Sequence, residues 1–265
     1  MRMLSTAMLP DVSDLWDSAM TPSPEQMIHQ GALFVLNDSG GKDSQAMKLL
    51  VRARVPVSQI MIIHAVLPEV DWDGIPQHIE RYSAGLPIVY ARATKTFFDM
   101  VEHRRRFPSA ANRQCTSDLK RGPIEREIRR YLKLHPEFCG RVVNCMGMRA
   151  AESASRAKLT TFRRNEGNCK AGREWYDWLP VHHMTTVEVY AAIETAGQEP
   201  HWAYAAGMSR LSCCFCIMAS RGDLTTAARL NPGLYRRYVE TEKRIGHTLS
   251  MSRKPLTEIT GVEIE

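Results

Sequence analysis

The segment best suited to chemistry is Ser39-Gly40-Gly41-Lys42-Asp43-Ser44. It follows the apolar run Ala32-Leu33-Phe34-Val35-Leu36 and precedes apolar residues at helical spacing, Ala46, Leu49 and Leu50. Paired glycines let a chain turn tightly and bring its N–H groups against an anion. A helix starting near Asp43 would offer unsatisfied N–H groups and a positive dipole end to the same place. Ser39 and Ser44 add hydroxyl donors, and Lys42 adds a charge. The loop is therefore suited to phosphate, the bland alternative being an ordinary strand-to-helix turn. Its spacing is neither Gly-x-x-x-x-Gly-Lys nor Gly-x-Gly-x-x-Gly. Asp43 is a candidate metal helper or helix cap.

A second group is the cysteines. There are seven, and Cys213, Cys214 and Cys216 crowd into four positions. In a reducing compartment such spacing points to metal or redox chemistry rather than to disulfides. Cys213 and Cys216 can grip one metal from a single turn. Zinc and unmetallated thiols are the alternatives. Cys145 lies in an apolar run and reads as a small core residue. Cys139 and Cys169 sit in loop-like positions. Lys120, Arg149 and Arg156 are cations of the kind that surround phosphate or sulfate, arginine being suited to bidentate grips. Each alone could equally be a surface charge. His182-His183 and His247 read as ordinary polar residues.

The Ser39–Ser44 loop resembles the PP-loop of the ATP pyrophosphatase superfamily, the adenine nucleotide alpha-hydrolases. Residues 113–124 resemble the Cys-Thr-x-x-x-Lys-x-x-Pro element of phosphoadenosine-phosphosulfate reductase-like proteins, with Cys115, Lys120 and Pro123 in register. Gly147-Met148-Arg149-Ala150-Ala151-Glu152-Ser153 with Arg156 resembles their Gly-x-Arg-x-x-Glu-Ser-x-x-Arg element, and Asp177 to Val181 their following strand. Together these segments span roughly residues 30–220. The resemblance implies ATP binding, Mg²⁺ at the leaving pyrophosphate, and transfer of AMP to a substrate oxygen. It implies Lys42, Asp43, Lys120 and Arg149 as catalytic residues. Ser39, Gly40, Gly41, Lys42, Asp43, Ser44, His64 and Arg156 would bind nucleotide. It places Cys115 where related proteins carry an iron–sulfur ligand. A [4Fe–4S] cluster would then rest on Cys115, Cys213 and Cys216, with a fourth ligand from Cys214, Cys145, Cys139 or Cys169, or with one iron left open.

Sulfonucleotide reductases carry a Glu-Cys-Gly-x-His segment, whereas no cysteine follows Cys216 here. The chain resembles instead the phage and bacterial branch related to DNA phosphorothioation enzymes. That implies an ATP-dependent adenylating sulfur transferase acting on nucleic acid (DNA or tRNA) or a nucleotide, served by a sulfur donor protein or thiol reductant. Reduction of an adenylyl sulfate is one alternative, and a nucleotide- or nucleic-acid-binding module without turnover is another.

Several elements must position these residues. Residues 32–36, 60–66, 87–90 and 141–146 read as strands and 178–181 as a last sheet element. Residues 43–54, 75–84, 122–134 and 185–196 read as helices. Strand–helix alternation implies right-handed crossovers and an α/β fold with a parallel sheet. The expected organisation is a leader over 1–28, a PP-loop nucleotide-binding domain over 29–200, and a helical, cysteine-bearing extension over 201–265 packed on it. Within the leader, 24–30 looks helical; 156–173 reads as a loop. In the extension, helices are expected to open at 217–224 and to run over 232–243.

At 265 residues, 44% hydrophobic and 24% charged, the composition is that of a globular protein. No run approaches the roughly 20 apolar residues of a membrane span, and residues 1–20 carry three aspartates and no apolar core. These features lead us to expect a cytoplasmic protein with no membrane partner, in the host cytoplasm if phage-encoded. The net charge of +6 gathers in clusters such as 103–106, 126–130 and 163–164. Such clusters suit a polyanion or are simply a solvated surface.

Overall fold

The protein is described over residues 22–263 in a computed structural model; residues 1–21 of the expected leader lie outside the described residues. Helix α1 (Pro24–His29) opens with a reciprocal capping box between Ser23 and Gln26. Strand β1 (Leu33–Asn37) then leads into helix α2 (Lys42–Arg52). β2 (Ile60–Val66), α3 (Ile75–Arg81), β3 (Ile88–Arg92) and α4 (Phe97–Arg104) follow. A wide turn over Ser117–Arg121 runs into α5 (Gly122–Leu134), which has Pro123 in its first turn. After it come β4 (Arg141–Met146), β5 (Phe162–Arg164) and β6 (Glu174–Trp178). The chain finishes with α6 (Thr186–Thr195), α7 (Trp202–Ala205), α8 (Arg221–Leu230), α9 (Pro232–Ile245) and α10 (Leu256–Thr260). Thr185 caps α6 through a box with Glu188.

The strands form one sheet in the order β3-β2-β1-β4-β6-β5, parallel except where β5 pairs with β6. Strand residues alternate between two buried faces, which is why the strands read as continuous apolar runs. Leu33, Val35, Met61, Ile63, Val142 and Trp175 pack with Ile128 and Leu132 of α5 on one face. Phe34, Leu36, Ile60, Ile62, Val143 and Trp178 belong to the larger core on the other. Leu224, Tyr235, Tyr238 and Leu256 join that larger core, so the C-terminal helices pack onto the same sheet. A polar chain crosses the sheet beneath its C-terminal edge: Asn37 Nδ2 donates to Asn144 Oδ1 at 2.7 Å, and Asn144 Nδ2 donates to Asp177 Oδ1 at 3.1 Å.

The chain runs outward from β1 through β2 to β3, then returns to β1's other side with β4. The crevice where strand order reverses is where open α/β sheets take ligands. It lies at the end of β1, beside the glycine loop. Among the described residues, no helix is long and apolar enough to cross a membrane.

Two expectations need correction, and one helix had none. The last parallel strand is Glu174–Trp178 rather than 178–181, because the chain bends away at Pro180, which has no N–H for a ladder. The expected loop 156–173 contains β5, whose three residues, Phe162-Arg163-Arg164, are too few to show a periodicity. α4 was not anticipated, although the Thr96–Asp99 capping box that starts it is a legible signal.

Phe34 is fully buried with its ring 6.0 Å from that of Trp178, edge to face. Phe34→Ala should destabilise the protein by about 3–5 kcal/mol, read as a lower denaturant midpoint at unchanged slope.

Candidate active site

The glycine loop is built on a residue just before it. Asp38 ends β1's run into the loop and is 3% exposed. Its Oδ1 accepts from the Gly40 N–H at 2.9 Å and from the Ser44 hydroxyl at 2.9 Å. Its Oδ2 accepts from Lys48 Nζ at 2.6 Å, with both side chains 2% exposed. Its backbone oxygen accepts from His64 Nδ1 at 2.8 Å. Burial would push this carboxyl up, but Lys48 and the Gly40 and Ser44 hydrogen bonds outweigh it and hold Asp38 below the usual 3.8. Gly40 adopts φ +73°, the left-handed conformation its position in the turn demands. Gly41 starts α2 without a side-chain cap.

Around this loop lies a cavity of about 160 Å³ lined by Ser39, Gly41, Asp43, Ser44, Gly147, Arg156 and Arg210, among others. It combines a helix N-terminus, hydroxyls and two arginines, which is the chemistry of a phosphate site. The Lys42 ammonium is elsewhere, on Asp43 Oδ2 at 2.8 Å and 5.7 Å from the centre of the Tyr204 ring. Arg149 is 4% exposed and donates through Nε to Asp43 Oδ1 at 2.6 Å and through Nη1 to the Met184 carbonyl at 3.2 Å. Its guanidinium therefore fixes the start of α2. Arg156 reaches the cavity while paired with Glu152. The Tyr204 hydroxyl accepts from the Lys42 N–H at 3.1 Å and from the Leu211 N–H at 3.3 Å. Gly147 leaves no room for a side chain, since an added Cβ would stand 2.9 Å from the Asp43 carbonyl and the Ser44 nitrogen.

A second cavity, of about 170 Å³, shares Asn37 and Ser39 with the first and lies on the β2 side of the loop. His64, Asp71, Lys120, Ser212, Ile75 and Ile124 line it. Burial pushes the Asp71 carboxyl up, partly offset by the Leu67 N–H, His64 and Lys120.

Beyond Lys120 lie the thiols. The Lys120 ammonium is held above its usual range by its acidic neighbours, Cys213 first and then Asp71, Cys216 and Cys115, against the pull of burial. Burial pushes the Cys213 thiol up to about 12 and also raises Cys115. These residues, a hundred positions apart, thus act on one ammonium. Among the described residues, no group of three or more His, Cys, Asp or Glu side chains is placed to hold a metal ion. The set expected from the sequence is therefore not preformed as a metal centre. Cys145 and Cys214 are both fully buried; Cys145 donates to the Val143 carbonyl, and the Cys214 N–H is bound to the Val70 carbonyl. They serve the core. Cys169, in the turn before β6, accepts from the Trp175 N–H at 3.3 Å and so is tied to that strand. Cys139 is exposed.

The sequence reading missed Asp38, Lys48, Tyr204 and Arg210. Only Asp38 had a local signal, its place directly before Ser39. The others act by tertiary approach.

A family model described as the phosphoadenosine phosphosulfate reductase domain matches residues 34–219. The chain belongs to this family. Curated relatives include an uncharacterised protein of Methanocaldococcus jannaschii, 25% identical over 210 residues (79% of this chain, 47% of the relative). Another is an uncharacterised 37.8 kDa protein of Escherichia phage 186, 27% identical over 169 residues (64% of this chain, 48% of the relative). The chain thus spans about half the length of the curated relatives it matches. Among solved structures, Candida auris phosphoadenylyl-sulfate reductase in a phosphate complex is similar at 12% identity and TM-score 0.44, with coverage of 79% of this chain and 97% of that one. Candida glabrata FMN adenylyltransferase with FAD and pyrophosphate is similar at 14% and 0.45, over 69% and 55%.

Two predictions follow from this geometry. Lys48→Met strands a buried carboxylate and should cost about 3–5 kcal/mol. In the native protein the Asp38 contribution is complete above 3.8 and is lost as pH falls through its lower folded value; in the variant acid unfolding should begin at higher pH. Gly147→Ala should cost about 1–3 kcal/mol by overpacking and weaken nucleotide binding by displacing the loop, measured by thermal denaturation and calorimetric titration with ATP.

Proposed function

We propose that the chain binds ATP with its phosphates in the Ser39–Ser44 cavity, transfers AMP to an acceptor oxygen, and gives the activated acceptor sulfur from the thiol side. The observation that carries this reading is that the two cavities share Asn37 and Ser39 in their walls. One is lined by the loop, Arg156 and Arg210, and the other by Lys120 and by Ser212, the residue directly before Cys213 in the chain. A phosphate site and a neighbouring cavity that meet at Ser39, with Cys213 one residue beyond Ser212, suit a reaction in which an adenylated group is attacked next door.

On this reading Gly41, Ser39 and Ser44 grip phosphate, Arg156 and Arg210 neutralise it, and Arg149 positions Asp43 and the head of α2. Asp43 has both oxygens paired, with Lys42 and Arg149. Glu152 accepts from the Arg149 N–H and from Arg156. Mg²⁺ would therefore arrive on the nucleotide's own oxygens rather than in a protein cage. Cys115, Cys213 and Cys216 are the sulfur-handling group. A [4Fe–4S] cluster would need their sulfurs to move into ligating positions, and zinc would need the same; iron and zinc content after purification without oxygen decides between them. The acceptor class that suits the basic surface is nucleic acid or a nucleotide.

The reading is tested by release of pyrophosphate from ATP with Mg²⁺, with and without DNA and tRNA. Release from ATP and not from GTP is expected, with stimulation by one of the nucleic acids. Tight ATP binding without any pyrophosphate would leave a binding module. Turnover of an adenylyl sulfate with external thiol, and no turnover of ATP, would make the chain a reductase.

A further inference from the structure

Trp202 is 46% exposed, yet its ring is held in one orientation. Its Nε1 donates to the Asp73 carbonyl at 3.0 Å, and the buried Trp72 ring meets it edge to face at 5.7 Å between centres. The buried His201 ring lies 5.5 Å away, itself fixed by the Asp73 carbonyl and the Ala203 N–H. A large aromatic side chain that is locked and still half uncovered is a surface prepared for stacking. Its ordering cost is met before anything binds.

Trp202 borders a cavity of about 650 Å³ between α3 and the chain entering α7, which shares no lining residue with either cavity at the glycine loop. That size suits a small ring-bearing ligand. One wall is aromatic: the His78 ring stands 5.1 Å from that of Tyr82 and 5.4 Å from that of His201. Burial, then the neighbouring His201, pushes His78 down to about 4, and burial lowers His201 as well, so both rings are uncharged at neutral pH. Arg81 and Glu199 are then the charged residues of the lining, one of each sign. Such a lining does not concentrate anions, unlike the loop cavity with Arg156 and Arg210. It suits a flat, neutral ring with hydrogen-bonding edges, for which Gln77, His78 and Tyr82 supply partners. The Tyr82 hydroxyl accepts from the Glu199 N–H at 3.1 Å and keeps its own proton to donate.

The cavity also stands close to the phosphate loop. Gly74 lines it, and the next residue, Ile75, packs against Gly40, where an added Cβ would lie 3.1 Å away. Tyr204, two residues beyond Trp202, holds the Lys42 N–H. We propose that this cavity seats an unpaired nucleobase of the acceptor strand, stacked on Trp202 and flanking the nucleotide that reacts, an inference resting on the nucleic-acid reading of the acceptor above. Every base has a π face, so Trp202 adds affinity with little preference for sequence. The exposed Arg81 is the cation available to the adjoining phosphate.

The test uses the full chain and two short single-stranded DNA oligonucleotides with the same number of phosphates, one carrying bases and one abasic. Binding is read by fluorescence anisotropy at one salt concentration. The base-bearing strand should bind roughly 5- to 150-fold more tightly, the worth of one stacked base. Trp202→Ala should abolish that advantage while leaving the affinity for the abasic strand, and calorimetric binding of ATP, unchanged. Trp202→Phe keeps a ring and should keep most of the advantage, but should lose the quenching of tryptophan fluorescence that the base-bearing strand causes in the native protein. Should W202A fail to fold, the quenching in W202F decides. A preference for bases that survives W202A, quenching undiminished in W202F, or equal binding of both strands by the native protein overturns the stacking site and leaves a nucleic-acid acceptor standing. Binding of neither strand removes both.

Discussion

The buried ion pair between Asp38 and Lys48 is the constraint on which the rest of the site depends. A carboxylate at the end of a central strand is costly in a dry environment, and one ammonium ten residues later in α2 compensates it. The remaining lone pairs hold Gly40 and Ser44, so one residue sets the turn, the hydroxyl and the start of the helix together. Its carbonyl also fixes the tautomer of His64 on the neighbouring strand. The two cavities on either side of the loop are therefore shaped by the same side chain and its own backbone.

Much of the architecture was legible because parallel strands buried on both faces leave continuous apolar runs. Residues 32–36, 60–66 and 141–146 were read as strands and appear as β1, β2 and β4 within a residue. The helix over 122–134 matches α5, since a starting proline and a strong amphipathic pattern mark it on both sides. β5 escaped because three residues hold no period, and β6 was displaced because Pro180 was read as part of a strand it ends.

The candidate site was legible only where its residues are contiguous. The loop announced itself by its glycines, and Gly147 by its place in a motif, though only the structure shows that the loop backbone presses against it. Arg149 could be singled out but not assigned, because whether a guanidinium meets a ligand or an aspartate depends on a partner over a hundred residues away. Cys145, by contrast, lies in an apolar run that already marks it as a core residue, and its full burial on β4 agrees. Sequence spacing reports local geometry and says little about which charges will face each other.

The Tyr204 hydroxyl holds two N–H groups at once, that of Lys42 at the head of α2 and that of Leu211 two residues before Cys213. The Lys42 N–H is among the helix-start donors through which an anion is gripped. An anion that takes this donor must take it from Tyr204, and the hydroxyl that loses it keeps its hold on Leu211. One hydroxyl thus ties the head of α2 to the segment that carries Cys213.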